Sequence, residues 1–496
     1  SFMNRWIIQY NIRIIYFQYR KVMKHLSIFL FALLNLNAIA QDLSLSSVEV
    51  ELQRLRQDPG LKHGEVGFVA VNLDNGSIIT EHNSYRAMIP ASIQKLLTTS
   101  TALASLGSNY RFKTSIAYTG EIIQGTLHGD LVIYGGGDPT FNSRYFPNQN
   151  HDQTIKEAAT KAGIKSITGK IIFDLSLYTE HTTPSGWLWE DMGNYFGSTP
   201  TAFMWADNTI NLDLRSGQAK TAVMLADSWP CDSKYQLDID IKASTDNKDN
   251  AWFYSAPKGN IIYGKGTIPA HKDRFTVKLS DPDPVQSYAA HLEKLLGLKD
   301  ISIQRNYTHI EYASARTLIE LTSPSLKEII TITNQQSINL YAEALNLIAD
   351  TAKDLKSVEG GVRSLEAFLT KNKIRYEGNR FLDGSGVSPM NRMTPQVMID
   401  LLSAMYRSPM KEDFQSTLAV GGQSGTFKYY FKSGKVAGNI IGKSGTMNGV
   451  RNYAAYVKNK YGETVAFCLM MNDYDEDRKS EIMKKVETLM EAVIEH

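Results

Sequence analysis

Three short stretches of this 496-residue chain carry side chains whose chemistry and spacing suit acyl transfer. The first is Ser92-x-x-Lys95, which follows Pro90-Ala91 and opens a run of helix-forming residues that reaches Leu106, with Gly107 just beyond. Proline near the start and glycine past the end are the boundaries a helix prefers. Positions i and i+3 share one face of a first turn, so Ser92 and Lys95 sit side by side. A serine hydroxyl is a weak nucleophile until a base takes its proton. Lysine serves as that base only where burial or nearby positive charge holds it partly neutral. The helix N-terminus adds N–H groups able to stabilise an oxyanion.

The second stretch runs from Thr333 to Asn339, between two helices. One starts near Ser323-Pro324-Ser325, with Glu328 completing a capping box, and the other carries Leu340, Ala344, Leu345 and Ile348. A tight interhelical loop can turn Ser337 and Asn339 into one cleft, the hydroxyl relaying a proton and the amide holding a substrate peptide bond. Helix capping is the competing use of both residues. The third stretch is Lys443-Ser444-Gly445-Thr446 on a strand. Gly445 lets a substrate backbone approach the strand edge, while Lys443 and Ser444 offer donors to a carboxylate. Ser255-x-x-Lys258 and Ser408-x-x-Lys411 repeat the first pattern with an internal proline that suits a turn, and Lys432-Ser433-Gly434 repeats the third in a loop. These three are read as surface features.

Two terminal groups of strands must hold these motifs. Residues 65–73 alternate, turn at Asp74-Asn75-Gly76 in an expected type I′ hairpin, and return over 77–81. At the other end, 440–446, 452–458 and 464–471 form a meander broken at Asn448-Gly449 and Lys460-Tyr461-Gly462, and 475–495 has helical apolar spacing. Neither group makes a domain alone, so the simplest solution is one antiparallel sheet built from both ends with helices packed on it. The middle, 110–312, has a different texture. Short strand-like pieces at 130–134, 171–174, 209–214, 235–241 and 261–267 outnumber helical runs at 153–162 and 285–296, which reads as one insertion or two nested ones.

Charge separates the ends. The chain holds 53 basic and 51 acidic residues, and the first 40 contain Arg5, Arg13, Arg20, Lys21 and Lys24 with no acid. Residues 41–496 therefore carry 48 bases against 51 acids, a net charge of −3. That argues against nucleic-acid binding, which needs a clustered basic excess. Met23-Lys24-His25, the apolar run 26–36 and Ala38-Ile39-Ala40 read as an export signal starting at Met23 and cleaved after Ala40, with 1–22 an upstream segment. The apolar run is too short to span a bilayer. The expected location is periplasmic or otherwise extracytoplasmic, with peripheral membrane contact and oligomeric state left open. Cys231 and Cys468 lie far apart and do not indicate a disulfide, and no cluster has metal-ligand spacing, so neither metal nor organic cofactor is expected.

In this order, on helix, loop and strand, the three motifs resemble the Ser-x-x-Lys, Ser-x-Asn and Lys-Thr/Ser-Gly triplet of penicillin-binding proteins and serine β-lactamases. Ser337 lies 245 positions after Ser92, more than a compact β-lactamase provides. That spacing resembles the class C low-molecular-mass penicillin-binding proteins, D-alanyl-D-alanine carboxypeptidase/endopeptidases with inserted domains. Gly135-Gly136-Gly137-Asp138-Pro139-Thr140, the segment from Gly186 to Met192, Asp383-Gly384-Ser385-Gly386 and the stretch from Gly422 to Thr426 resemble the same family. The resemblance runs from about Leu52 to the C-terminus.

It implies an α+β fold, a penicillin-binding/serine β-lactamase-like domain with a five-stranded antiparallel sheet and helices, interrupted by one or two β-rich inserted domains. The catalytic part would be 41–109 with 312–496, an inserted domain 110–218 with 271–311, and a nested β-rich domain 219–270. By matched position, Ser92 would be the acylated nucleophile, Lys95 its base and Ser337 the proton relay to the leaving D-alanine. Asn339 would hold the substrate amide, and Lys443 and Ser444 the terminal carboxylate. Gly445 would pass the backbone, and the N–H groups of Ser92 and Thr446 would form the oxyanion hole. Asp191 resembles the acid aimed at the free amino group of the peptide stem. Where family members often carry an arginine, this chain has Pro389. The resemblance thus implies a serine carboxypeptidase/endopeptidase of peptidoglycan stem peptides, acylated and inhibited by β-lactams. The rival readings are a secreted serine β-lactamase and a non-catalytic wall-binding scaffold.

Overall fold

The computed structural model describes residues 46–226, 235–312, 314–352 and 355–496. The export signal and Cys231 lie outside these residues.

Both chain ends build one sheet, as the pattern of alternation required. Strands β1 (Glu65–Asn72) and β2 (Ile78–His82) come from the N-terminal side, and β3 (Ala419–Val420), β4 (Ile441–Met447), β5 (Val450–Lys458) and β6 (Thr464–Asn472) from the C-terminal side. The antiparallel order is β3-β4-β5-β6-β1-β2, with β1 against β6 from Glu65↔Asn472 to Asn72↔Val465. To the five long strands the structure adds the two-residue β3, which pairs only with Ile441 and Gly442. The β4 edge from Lys443 onward is therefore open, and it is this edge that faces the site.

The β1–β2 connection differs from the expected turn. Type I′ needs two consecutive residues at positive φ. Of Asp74, Asn75 and Gly76 only Gly76 has one (79°). Instead, Asn72 anchors a longer loop, its Oδ1 accepting from the Asp74 N–H at 3.0 Å and its carbonyl from the Gly76 N–H at 2.8 Å. An Asx turn of this kind competes with the tight hairpin.

Helices cover both faces of the sheet. On one side lie α1 (Ser47–Arg56) at the N-terminal end and the long C-terminal helix. On the other lie α2 (Lys95–Leu106), α3 (Leu326–Gln336), α4 (Asn339–Ala349), α5 (Val358–Lys371) and α6 (Pro395–Arg407); the C-terminal helix is α7 (Lys479–Glu495). One core joins Leu96, Leu97, Leu345, Met398 and Leu402 to Tyr456 and Cys468 of the sheet, and the other joins Val48, Leu52, Val486 and Met490 to Phe68, Tyr453 and Phe467. Burial on both faces explains why β6 reads as an almost unbroken apolar run rather than an alternation. Asp58, fully buried, accepts from Arg478 at 2.9 Å and Lys485 at 2.6 Å, tying the N-terminal segment to α7.

The insertion leaves the two-ended domain after α2 and returns before α3. Its main sheet has the order Ile303–Asn306, Ile171–Asp174, Leu131–Tyr134, Lys113–Tyr118, Arg316–Thr322. The last of these pairs with the inserted strand Lys113–Tyr118 (Thr322↔Lys113), so it belongs to this sheet, although the sequence boundary at 312 put it in the catalytic part. The nested unit is also larger than 219–270. Its core joins Ile241 and Ile262 to Leu212, Leu214 and Val277, which lie on the paired strands Thr209–Ser216 and Lys272–Ser280. Thr209–Ser216 alternates buried and less buried residues, so its apolar face requires the second sheet. A unit cut at 219 and 270 would leave that face bare.

Candidate active site

The Ser92 turn is held by strands on one side and by a loop on the other. The helix expected from Pro90 begins as a 3-10 turn, Ala91–Gln94, and becomes α-helical only at Lys95. Ala91 has φ 47°, a left-handed conformation that is strained for a residue with a Cβ and must be imposed by its surroundings. Those surroundings are identifiable. The Asn452 amide on β5 donates to the carbonyls of Ile89 (2.9 Å) and Pro90 (2.8 Å). Its neighbour across the ladder is Gly445, where a Cβ would lie 2.7 Å from Pro90 O and 3.0 Å from the Ser92 and Ile93 nitrogens. Gly386 (φ 82°) approaches from the opposite side, a Cβ there falling 2.0 Å from Ala91 O. Glycine at 445 is thus required by the backbone of the turn that carries Ser92.

Lys95 is fully buried beside Ser92. Its Nζ lies 2.9 Å from Ser92 Oγ, 2.6 Å from Asn339 Oδ1 and 2.7 Å from Ser385 O. Burial pulls its pKa down to about 7, with Asp383 and Glu343 opposing. A neutral amine has two N–H bonds and one lone pair. With the two hydrogens given to Asn339 Oδ1 and Ser385 O, the lone pair faces Ser92, whose hydroxyl then donates to it. Glu343, one turn after Asn339 on α4, is fully buried and accepts from the Gly384 and Ser385 N–H groups. Its pKa is raised, first by burial and then by Asp383. Glu343 therefore fixes the loop whose Ser385 carbonyl holds Lys95.

The second motif turns inward as expected. Ser337 ends α3 in the left-handed conformation (φ 59°), and Ile338, the N-cap of α4, makes no side-chain cap. Neither Ser337 nor Asn339 is used for capping. Asn339 Nδ2 donates to Phe196 O at 2.7 Å, while Ser337 Oγ accepts from Lys443 Nζ at 2.9 Å. Lys443 is buried, and its pKa lies well below the usual lysine range because of burial and the nearby Lys95 charge.

In the third motif successive strand residues face opposite sides of the sheet, so the Lys443 and Ser444 side chains meet different partners. Lys443 turns to Ser337, and Ser444 Oγ bonds Thr426 Oγ1 at 2.9 Å. Thr446 is the member of the motif that lines the cleft, with Ser92, Ser337 and Asn339.

That cleft, about 770 Å³, has a far wall of which the sequence singled out only Asp191 and Pro389. Asp191 lies there on the short helix Trp189–Met192, its pKa raised to about 6 by burial and the adjacent Glu190. Trp252, Tyr254 and Lys265 come from the nested unit, and Pro389 lines the rim. No spacing signal links residues 252–265 to Ser92, since only tertiary packing brings them together. Glu343 had a signal, the one-turn step after Asn339. The Asp383 segment serves as a clamp: its carboxylate accepts from Trp187 Nε1 (2.9 Å) and Asn391 (2.8 Å), and its carbonyl from Gln94 (2.5 Å). Of the set-aside repeats, Lys258 pairs with Glu180 at 2.9 Å and Ser408 Oγ donates to Met405 O at 2.9 Å, and neither residue lines this cleft.

The D-Ala-D-Ala carboxypeptidase 3 (S13) family model matches residues 48–493. The chain is 25% identical over 428 residues to the D-alanyl-D-alanine carboxypeptidase DacB of Haemophilus influenzae, covering 82% of this chain and 85% of that one. It is 24% identical over 457 residues to the D-alanyl-D-alanine carboxypeptidase of an Actinomadura species, covering 88% and 83%. Among solved structures, penicillin binding protein 4 from Haemophilus influenzae superposes with a TM-score of 0.78 at 23% identity, covering 90% of this chain and 99% of that one. A complex of that protein with a β-lactam gives 0.75 at 22% identity, covering 91% and 100%.

Proposed function

This chain belongs to the D-Ala-D-Ala carboxypeptidase 3 (S13) family and is a serine-type D-Ala-D-Ala carboxypeptidase of the penicillin-binding kind, and we propose that it works through an acyl-enzyme on Ser92. The observation that carries the assignment of residues is the contact of a buried, partly neutral Lys95 with Ser92 Oγ at 2.9 Å.

The Ser92 hydroxyl attacks the carbonyl carbon of the penultimate D-alanine in a peptidoglycan stem peptide, and its proton passes to Lys95 Nζ. The resulting oxyanion is stabilised by the N–H groups of Ser92 and Thr446. Ser337 then donates its proton to the departing D-alanine amine and is re-protonated by Lys443, whose Nζ lies 2.9 Å away. The proton that Lys95 took from Ser92 then restores Lys443, which leaves Lys95 neutral; water gives up a proton to Lys95 as it attacks the acyl carbon, and Lys95 returns that proton to Ser92 Oγ as the acyl bond breaks. Asn339 orients both Lys95 and the substrate amide, and Asp191 receives the free amino group of the stem. A β-lactam follows the same first step, but its opened ring stays attached at the leaving side.

Cleavage of a cross-link is the same reaction with a larger leaving amine, and the open 770 Å³ cleft favours this endopeptidase activity as a second reaction. A β-lactamase reading would need a carboxylate free to activate water at the acyl bond. Glu343 is instead engaged by two backbone N–H groups and lies behind Lys95. An extracytoplasmic location follows from the substrate. Release of D-alanine from an N-acylated D-Ala-D-Ala peptide, lost in Ser92→Ala, tests the assignment; persistent release in that variant would refute it.

A further inference from the structure

Arg451 is a buried cation that the steps above do not use. It lies on β5 directly across the ladder from Thr446, so the two side chains share a face of the sheet. Its guanidinium belongs to a residue only 4% exposed. Nε donates to Tyr453 Oη at 2.8 Å, Nη1 lies 3.4 Å from Thr446 Oγ1, and the group stacks 4.5 Å over the Tyr430 ring. Among the described residues no carboxylate forms an ion pair with it, whereas the buried Asp58 has two partners. A permanent charge removed from water without a counter-charge is unfavourable unless an anion arrives to complete it.

The place of that anion is marked by Thr446, the cleft-lining member of its motif, at the open edge of β4. Lys443 and Ser444, expected to hold the substrate carboxylate, are committed to Ser337 and Thr426. We propose that Arg451 is the counter-charge for the carboxylate on the leaving residue of the substrate, acting through Thr446 as a positioning residue. Arg451 donates to Thr446 Oγ, which leaves the hydroxyl proton of Thr446 directed to the carboxylate, and the guanidinium charge lies one hydroxyl behind it. This rests on the carboxypeptidase reading above.

The test compares kcat/KM for an N-acylated D-Ala-D-Ala peptide with that for its C-terminal amide, which lacks the charge. In Arg451→Met the preference for the carboxylate form falls roughly 30-fold or more relative to the unsubstituted enzyme, the scale of truncating one member of a buried hydrogen-bonded charge pair. Arg451→Lys keeps part of the preference. Thr446→Val loses it as well, and the double variant loses little more than either single one. A purely structural Arg451 would lower both rates together and leave the ratio at its original value, which would overturn the proposal. So would a Thr446→Val enzyme that keeps the ratio, a result readable even if Arg451→Met does not fold. An unsubstituted enzyme that cleaves both peptides equally contradicts the role of Arg451 alone, whereas one that cleaves neither contradicts the carboxypeptidase reading.

Discussion

Gly445→Ala should disable the nucleophile without touching a reacting group. The added Cβ would stand 2.7 Å from Pro90 O and 3.0 Å from the nitrogens of Ser92 and Ile93. Ordinary carbon–oxygen contact needs about 3.3 Å, so one backbone must retreat by about 0.6 Å. No flexible side chain can absorb the shift, because all three opposing atoms are main chain. The strand is fixed on its other side by β5 in full register, whereas Asn452 gives the turn two side-chain hydrogen bonds, which yield more readily than the ladder. The turn that carries Ser92 therefore moves. Misplacement of a reacting atom by about 1 Å costs on the order of a hundredfold in rate, so a shift of this size should slow acylation by roughly ten- to thirtyfold. The assay is the second-order rate of labelling by a fluorescent penicillin, with thermal unfolding as the control for folding. A folded variant acylated at the unsubstituted rate would refute the claim that Gly445 sets the position of Ser92.

Other perturbations follow from the same geometry. Acylation requires neutral Lys95, whose pKa is about 7, so its rate should rise about tenfold between pH 6 and pH 8; a flat profile would exclude Lys95 as the base. Asp191→Asn should weaken stem peptides with a free side-chain amine by roughly tenfold and leave their N-acetylated counterparts nearly unaffected, as measured by kcat/KM on the two substrates. Asp58→Asn should lower stability by about 2–3 kcal/mol, since its two cations are left unpaired but partly exposed. The pair with Arg478 depresses the Asp58 pKa, so its stabilisation is present above the unfolded carboxylate value of about 3.9 and is lost as pH falls below it. The variant should therefore show a flatter acid limb in unfolding experiments, and an unchanged limb would contradict this. Glu343→Ala should slow acylation by releasing the Gly384–Ser385 loop, an effect checked by penicillin labelling of the folded variant.

The sequence was most informative where chemistry and local structure coincide. Ser92 and Lys95 fall on one turn, Ser337 and Asn339 on a short loop between strong helices, and Lys443 to Thr446 on a strand flanked by a turn, so short-range spacing singled them out as candidates. Two-ended assembly of the sheet was legible because neither terminal group of strands could bury a face alone. What escaped was decided at long range. Gly445 read as a gap for substrate, and no local signal shows that the turn carrying Ser92 also packs against it. Lys443 and Ser444 looked like a pair because they are adjacent, yet the pleat sends them to different partners. The strand Arg316–Thr322 joined the inserted sheet because its partner lies about 200 residues earlier in the chain. Apart from the one-turn step of Glu343 after Asn339, Glu343 and Arg451 read as ordinary charged residues of a helix and a strand; three-dimensional contacts show that one fixes the Lys95 loop and the other lacks an acidic partner among the described residues.

The account stands most directly on one acylation. Mass spectrometry of the intact protein after benzylpenicillin treatment, followed by peptide mapping, should show one stable adduct on the peptide containing Ser92 and none in Ser92→Ala. A folded protein that forms no adduct, or forms it on Ser337 or another serine, would contradict the assignment of Ser92 as the nucleophile.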